Sequence, residues 1–286
     1  MDGLERTLMT IACGDCNDIP KTPDAGRIIA GPDGDVQIMH NGLKVIAGGY
    51  HGDWMAHVIR ALRGHHEPQE ELLFNALLKA CRHNSLFVEL GSFWAYYSMW
   101  YLHEVPGSRA ICIEPDPNNK AIGERNARIN GLQQRMNFLQ GFVGGDRHDV
   151  LEAFVETVTD PIALPCYDIN AIIELSGNDV IEILHVDVQG AEFPLLTSAR
   201  DAIEKKKIRF AIISTHHGSI SGSRNTHEDC LALVIALGGK ILAEHSVQES
   251  FSGDGLIVAS FFQCDERISI PHISRNMPQL SLFPVK

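Results

Sequence analysis

Apolar positions follow two regimes along the chain. In "RIIAGPDGDVQIMHNGLKVIAGG", residues 27–49, short apolar runs alternate around DGD and HNG. Both tripeptides are hairpin signals, so a small antiparallel unit is expected there. Two helical stretches follow at about 53–63 and 67–82, parted by GHHEP, and Pro68 suits the first turn of the second. From Leu86 the pattern changes to continuous apolar runs alternating with helical periods. It predicts strands at 86–90, 109–113, 136–140, 180–186, 208–214 and 240–247. Helices are predicted at 94–104, 117–130, 168–175, 191–204 and 226–237, with a looser segment before residue 168. Strands apolar on both faces imply a parallel sheet covered on both sides. The stretch "KILAEHSVQESFSGDGLIVASFF" instead holds two strand-like runs joined through SGDG, an antiparallel ending. The expectation is an α/β, Rossmann-like, doubly wound and mostly parallel seven-stranded sheet with an antiparallel last strand. A β-hairpin and helical extension over 1–66 precedes this sheet domain at 67–286.

Composition narrows the partners. A net charge of −12 argues against a nucleic-acid backbone, which needs Lys and Arg to displace its counterions. The basic run EKKKIR at 204–209 reads as a solvated loop leading into a strand. No apolar run approaches the roughly 18 residues of a membrane span. The opening "MDGLERTLMTIACGDC" has early acids and no clean apolar core, so a secretory signal is not expected and a cytoplasmic location is. The first two dozen residues read as a loosely ordered lead-in. Seven irregularly spaced cysteines suggest reduced thiols, and Cys13 and Cys16 in CGDC lack a second CxxC to complete a zinc site. That pair is expected on an exposed segment.

Three acids, Glu89, Glu114 and Asp187, fall at or beside the carboxyl ends of predicted strands. Ligands of doubly wound sheets bind there. A carboxylate in such a place is costly to bury without hydrogen-bond donors. In the first turn, ELGSFWA, Gly91 permits close backbone approach and the next helix offers free N–H groups. The turn lacks the GxGxxG of a pyrophosphate site. Glu114 follows at a distance suited to accepting both hydroxyls of a ribose. A phosphate-free nucleoside with an amino-acid tail fits both acids, and S-adenosylmethionine is such a molecule.

Four blocks in order carry a family resemblance. "VELGSFWAYYSMW" resembles the D-x-G-A-N-x-G-x-Y-S turn of class I S-adenosylmethionine-dependent methyltransferases in the form used by the FkbM family. "IEPDPNNKAIGERNARINGL" is similar to that family's acid-Pro-x-Pro strand end and Asn-rich helix, and "CYDINAIIE" to its Leu-Asp-x-(Leu/Ile) helix start. "ILHVDVQGAEFPLL" is similar to its K-I-D-V-E-G-A-E-x-x-V-L block. The HEPQEE lead-in at 66–71 also fits. The chain departs at Glu89 (for Asp), Phe93 (for Asn), Ala95 (for the second Gly) and Gln189 (for Glu).

The resemblance implies that Glu89, Gly91 and Ser92 border the methionine end of S-adenosylmethionine. Glu114 would accept the ribose hydroxyls with Pro115 beside the adenine, and Gly141, Phe142 and Val143 would line the adenine. Asp187 would stand between cofactor and acceptor. An acid after a strand also serves as a helix cap, a role that in IEPDP falls equally to Asp116, and Asp187 could simply orient its turn. For the acceptor, "AIISTHHGSISGSRNTHEDC" sets His216 and His217 directly after the fifth strand. One of them with Asp187 is expected to activate a hydroxyl; neighbours on an extended segment point opposite ways, so only one can face the site. Related sugar-tailoring enzymes carry carboxylates and magnesium at this place, and His here makes a softer divalent ion compatible instead.

Tyr97 and Trp100 are expected inside, while Phe93 and Trp94 could wall the cofactor or meet an acceptor. GGYHGDW at 48–54 could cover the acceptor or merely join a strand to a helix. The expected activity is methyl transfer, directed to a hydroxyl of a glycan, glycolipid or secondary metabolite. Rival readings are N- or C-methylation, a non-catalytic nucleoside-binding scaffold, and a nicotinamide dehydrogenase, which the missing GxGxxG disfavours. The N-terminal unit could pair two copies into a homo-oligomer.

Overall fold

The computed structural model describes residues 3–32 and 34–283. Helix α1 (Gly3–Ile11) stands where a loose lead-in was expected. It is ordered by packing: a Cβ on Gly3 would lie 3.2 Å from the Trp54 ring, and Thr10 Oγ1 donates to the Phe251 carbonyl at 2.9 Å. The segment after it is also internal, with Cys13 and Cys16 buried rather than exposed, and Cys16 Sγ donating to the Pro68 carbonyl at 3.2 Å. Strands β1 (Ile28–Ile29), β2 (Val36–Ile38) and β3 (Lys44–Ile46) form the antiparallel unit. Of its DGD turn, Asp33 lies outside the described residues. Helices α2 (Asp53–Ala61) and α3 (Pro68–Leu78) follow, with Pro68 in the first turn of α3.

The main sheet begins with β4 (Leu86–Leu90), α4 (Tyr96–Glu104), β5 (Arg109–Glu114), α5 (Pro117–Ile129) and β6 (Met136–Gln140). The looser segment is a second small sheet: β7 (Phe142–Val143), β8 (His148–Val155) and β9 (Val158–Tyr167), in the order β7-β9-β8. Then come α6 (Ile169–Leu175), β10 (Ile181–Val186), α7 (Glu192–Thr197) and α8 (Arg200–Glu204), so the expected helix 191–204 is broken in two. The chain closes with β11 (Ile208–Thr215), α9 (Gly218–Ser221), α10 (Thr226–Ala236), β12 (Lys240–His245) and β13 (Gly255–Ser260).

The seven strands run β12-β13-β11-β10-β4-β5-β6; β13 is antiparallel to β11 and to β12, and the other neighbouring pairs are parallel. The strand order reverses between β4 and β10, which puts the carboxyl ends of β4, β5, β10 and β11 around one crevice. One face buries Phe74, Trp100 and Tyr101; the other buries Ile172, Leu195 and Val234. Arg209, at the end of the basic run, is not solvated. It enters β11 and pairs with Glu182 at 2.5 Å and Asp265 at 2.6 Å.

The N-terminal sheet is fastened over α5 by two asparagines. Asn126 Oδ1 accepts from the Ile46 N–H at 2.8 Å while its amide donates to the Trp94 carbonyl at 3.1 Å. Asn130 Oδ1 accepts from the Lys44 N–H at 2.9 Å and its amide donates to the Lys44 carbonyl at 2.7 Å. Asn126 thus ties the segment before Tyr50 to the turn after β4. Because Asn126 is fully buried, Asn126→Ala leaves a main-chain donor and acceptor unpaired at about 1–3 kcal/mol each. Urea denaturation is expected to show that loss; a midpoint unchanged from wild type would deny the asparagine this role.

Candidate active site

The crevice is a cavity of about 490 Å³. Glu114 and Pro115 line it from the end of β5, Gly141, Phe142 and Val143 from the next turn, and Asp187 from the end of β10. That volume suits a nucleoside-sized ligand. Tyr50 and His51 close it from the N-terminal segment, Phe93 from the turn after β4, and Phe154, Val155 and Glu156 from the β8–β9 hairpin.

Glu114 is buried, yet both carboxylate oxygens are engaged from one side only. Oε2 accepts from the Phe93 N–H and Oε1 from the Asp116 N–H, each at 2.9 Å. Each oxygen keeps capacity for one further donor, the arrangement a vicinal diol needs. Burial pushes its pKa up to about 7 despite those two bonds. The cap role belongs to Asp116, whose carboxylate accepts from Asn118 N and Asn119 N at the start of α5.

The turn after β4 differs from expectation. Glu89 does not line the cavity; its carboxylate reaches the start of α4 and accepts from Ser98 N at 3.0 Å and from the Ser98 hydroxyl. Helix α4 is preceded by Ala95, which has no capping oxygen, so Glu89 satisfies a first-turn N–H in its place. Burial raises the Glu89 pKa to about 7. The amides of Gly91 and Ser92 both donate to the Ile113 carbonyl, at 2.9 and 3.1 Å, so they are not free for an anion. Gly91 lines the cavity, and its φ of +73° and the Asp187 carbonyl, 1.7 Å from where a Cβ would stand, require glycine. Ser92 is buried outside the lining.

Three departures from the family pattern share a backbone state. Phe93, Ala95 and Gln189 have φ of 41°, 58° and 49°, a left-handed conformation in which Asn and Gly are at ease. Larger side chains there carry strain of about 1–3 kcal/mol each. Two of them, Phe93 and Gln189, line the cavity.

At the inner end, Asp187 and His216 meet. His216 Nε2 lies 3.2 Å from Asp187 Oδ1 and 3.8 Å from Asp254 Oδ1, and Nδ1 lies 2.5 Å from Glu192 Oε1. Burial would disfavour the imidazolium, but Asp254, Asp187 and Glu192 together hold its pKa well above the usual histidine value. The same pairing keeps Asp187 below its ordinary value against the opposing effect of burial. Both ring nitrogens of His216 thus face carboxylates, an arrangement that favours its charged form. His217 points away: its Nδ1 accepts from Ser219 N at 3.2 Å, capping α9, and its ring stacks on Phe283. It is not among the residues lining the cavity.

Several polar partners were not singled out in the sequence. Glu192 was legible only as part of the GAEF block, and Asp254 only as a turn residue. Arg6 Nη2 pairs with Asp254 at 3.3 Å. Glu67 accepts from Tyr50 and Tyr97 hydroxyls at 3.4 and 3.2 Å behind the cavity wall. Among the described residues, the side chains close enough to share a metal ion are Cys16, His65 and Glu71. They lie outside the lining, and Glu71 already accepts from the His66 and Glu67 N–H groups at 2.7 and 3.2 Å.

A seven-stranded sheet in this order, with its crevice at the strand reversal, is that of a Rossmann-like methyltransferase. The chain matches the Methyltransferase FkbM domain model over residues 47–241 and belongs to that family of S-adenosylmethionine-dependent methyltransferases. No curated protein sequence matches it significantly. Among solved structures it is similar to a methyltransferase FkbM from Methylobacillus flagellatus KT, at 17% identity and TM-score 0.46, covering 73% of this chain and 61% of that one. It is also similar to TrmK of M. capricolum in complex with S-adenosylhomocysteine, at 12% identity, TM-score 0.42 and 72% of each chain. Likenesses this distant carry no residue or substrate across.

If Glu114 takes the ribose, its ionised form binds and its protonated form does not accept both hydroxyls. Affinity for S-adenosylhomocysteine is then full above about pH 7. It falls by about tenfold for each unit below that. Calorimetric titration from pH 5.5 to 8.5 is expected to show this slope, and Glu114→Gln weak binding without it. A flat wild-type profile would remove Glu114 from the ribose.

Proposed function

We propose that the enzyme O-methylates a hydroxyl of a neutral, polyhydroxylated acceptor such as a glycan, glycolipid or glycosylated metabolite. The observation that carries this reading is the Asp187 carboxylate in the cavity lining, paired with His216, which pairs in turn with Glu192 outside the lining. Bound S-adenosylmethionine supplies an electrophilic methyl group on a sulfonium.

Glu114, Pro115 and the 141–143 turn hold the nucleoside end in this reading, leaving Asp187 facing the acceptor. Its Oδ1 is oriented by His216, and the other carboxylate oxygen is available to accept a hydrogen bond from the acceptor hydroxyl. This aims an oxygen lone pair and holds the nucleophile in place. As the new C–O bond forms, the oxygen gains positive charge and its proton becomes strongly acidic, so a carboxylate of low pKa suffices to receive it. An ammonium acceptor is different, because it must lose its proton before it has a lone pair. A carboxylate held below its ordinary value is poorly suited to take that proton, which favours O- over N-methylation.

The lining supports a neutral acceptor. It includes Glu114, Asp116, Glu156 and Asp187, and among the described residues that line the cavity none is Lys or Arg. A phosphorylated or carboxylated acceptor would meet like charge there. Tyr50, His51, Phe93 and Phe154 offer ring faces suited to the apolar face of a sugar.

Asp187→Asn is expected to lower turnover by about 10²–10⁴-fold on any accepted substrate while S-adenosylhomocysteine binds within a few-fold of wild type. A methyl-transfer screen over matched neutral, amino and acidic sugars, with the methyl located by NMR, checks both claims. Near-wild-type turnover in Asp187→Asn, or methyl found on nitrogen or carbon, contradicts the reading.

A further inference from the structure

The β8–β9 hairpin is fastened at two ends and open between them. At its root, β9 pairs with β7 through Phe142↔Cys166 and Val143↔Tyr167. Strand β8 is the edge of that small sheet and pairs only with β9. Its body projects into solvent, with Val150 66% and Phe154 72% exposed. Such a strand has little burial to hold it in place.

The tip is different. Thr157 N–H donates to Asp116 Oδ2 at 2.7 Å, and its hydroxyl donates to Asp116 Oδ1 at 2.6 Å. The Asn118 amide donates to the same hydroxyl oxygen at 2.7 Å. Among the described residues, these are the side-chain hydrogen bonds joining the hairpin to the main sheet and its helices. The adjoining residues Phe154, Val155 and Glu156 line the cavity opposite Gly91 and Asp187. Glu156 also approaches His51 Nδ1 from the N-terminal segment, at 3.9 Å. The hairpin therefore runs from the adenine side of the cavity, at its root, to the ribose side, at Asp116, and forms one wall along the way.

We infer that Thr157 is a positioning residue, a latch that holds the β8–β9 hairpin as a lid over bound S-adenosylmethionine or its product. It works through the Asp116 carboxylate, which is already fixed by its cap bonds to α5 and so offers a rigid anchor. With the latch made, Phe154, Val155 and Glu156 shield the cofactor; with it broken, the hairpin swings about its β7 root and the ligand leaves. The inference rests on the cofactor lying in this cavity with its ribose at Glu114.

The test uses S-adenosylhomocysteine and the full chain. Stopped-flow dissociation is measured in wild type, Thr157→Val, Thr157→Ser and Glu114→Gln, with hydrogen exchange of residues 148–158 followed with and without ligand. Loss of one hydrogen bond to a charged partner predicts a dissociation rate about tenfold faster in Thr157→Val. Thr157→Ser is expected within about twofold of wild type, because it keeps the hydroxyl. Ligand is expected to slow exchange in the wild-type hairpin and to do so less in Thr157→Val. An unchanged rate in Thr157→Val, equal acceleration in Thr157→Ser, or no ligand protection of the wild-type hairpin overturns the proposal. Glu114→Gln separates the two ideas. It is expected to weaken affinity while leaving ligand-free exchange of the hairpin unaltered, so wild-type affinity there points to a wrong ribose assignment instead.

Discussion

A histidine ring held between carboxylates at the end of a buried sheet is the constraint around which this site is arranged. His216, Asp187 and Glu192 come from three different places in the chain, just after β11, just after β10 and the start of α7. Removing His216 leaves the fully buried Glu192 without its charged partner, which is costly in proportion to how dry the site is. The array therefore fixes the relative placement of β10, β11 and α7 as well as the orientation of the carboxylate facing the cavity. Gly91 adds a second fixed distance, since only a residue without a Cβ lets the β4 turn touch the Asp187 carbonyl.

Around this centre, buried acids divide their work by direction. Glu89 and Glu114 both lie at or next to strand ends, both are buried and both have pKa values raised to about 7, yet they serve different neighbours. Glu89 turns to the start of α4 and supplies the cap that Ala95 lacks. Glu114 turns to the cavity, where two amides fix it without saturating it. Proximity to a ligand crevice thus says little about an acid's role until the other occupants of its oxygens are known.

Much of the architecture was legible because burial on both faces writes a continuous apolar run, as in IRFAIIST of β11, and because turns such as SGDG carry their own signal. What was not legible depended on contacts between distant segments. The β8–β9 hairpin is exposed along its length and contains Pro161 and Pro165, so it shows neither the apolar run nor the clean alternation of a buried strand. Helix α1 is too short to announce itself and is ordered by Trp54 and Phe251. Which of His216 and His217 meets Asp187 was not legible, because the contacts of His216 with Asp187, Asp254 and Glu192 join segments that come together only on folding. The strained positions Phe93 and Ala95 were visible as departures from a pattern with Asn and Gly, and their left-handed backbone gives those two departures a physical meaning.

The most direct test of this account is nitrogen-15 NMR of the His216 ring across pH 6 to 9, with His216→Gln to assign the signal. Both ring nitrogens are expected to keep imidazolium shifts through pH 8, as a cation shared by Asp187 and Glu192 must. A ring that titrates near pH 6.5, or is neutral at pH 7, would contradict it and return His216 to the role of proton acceptor.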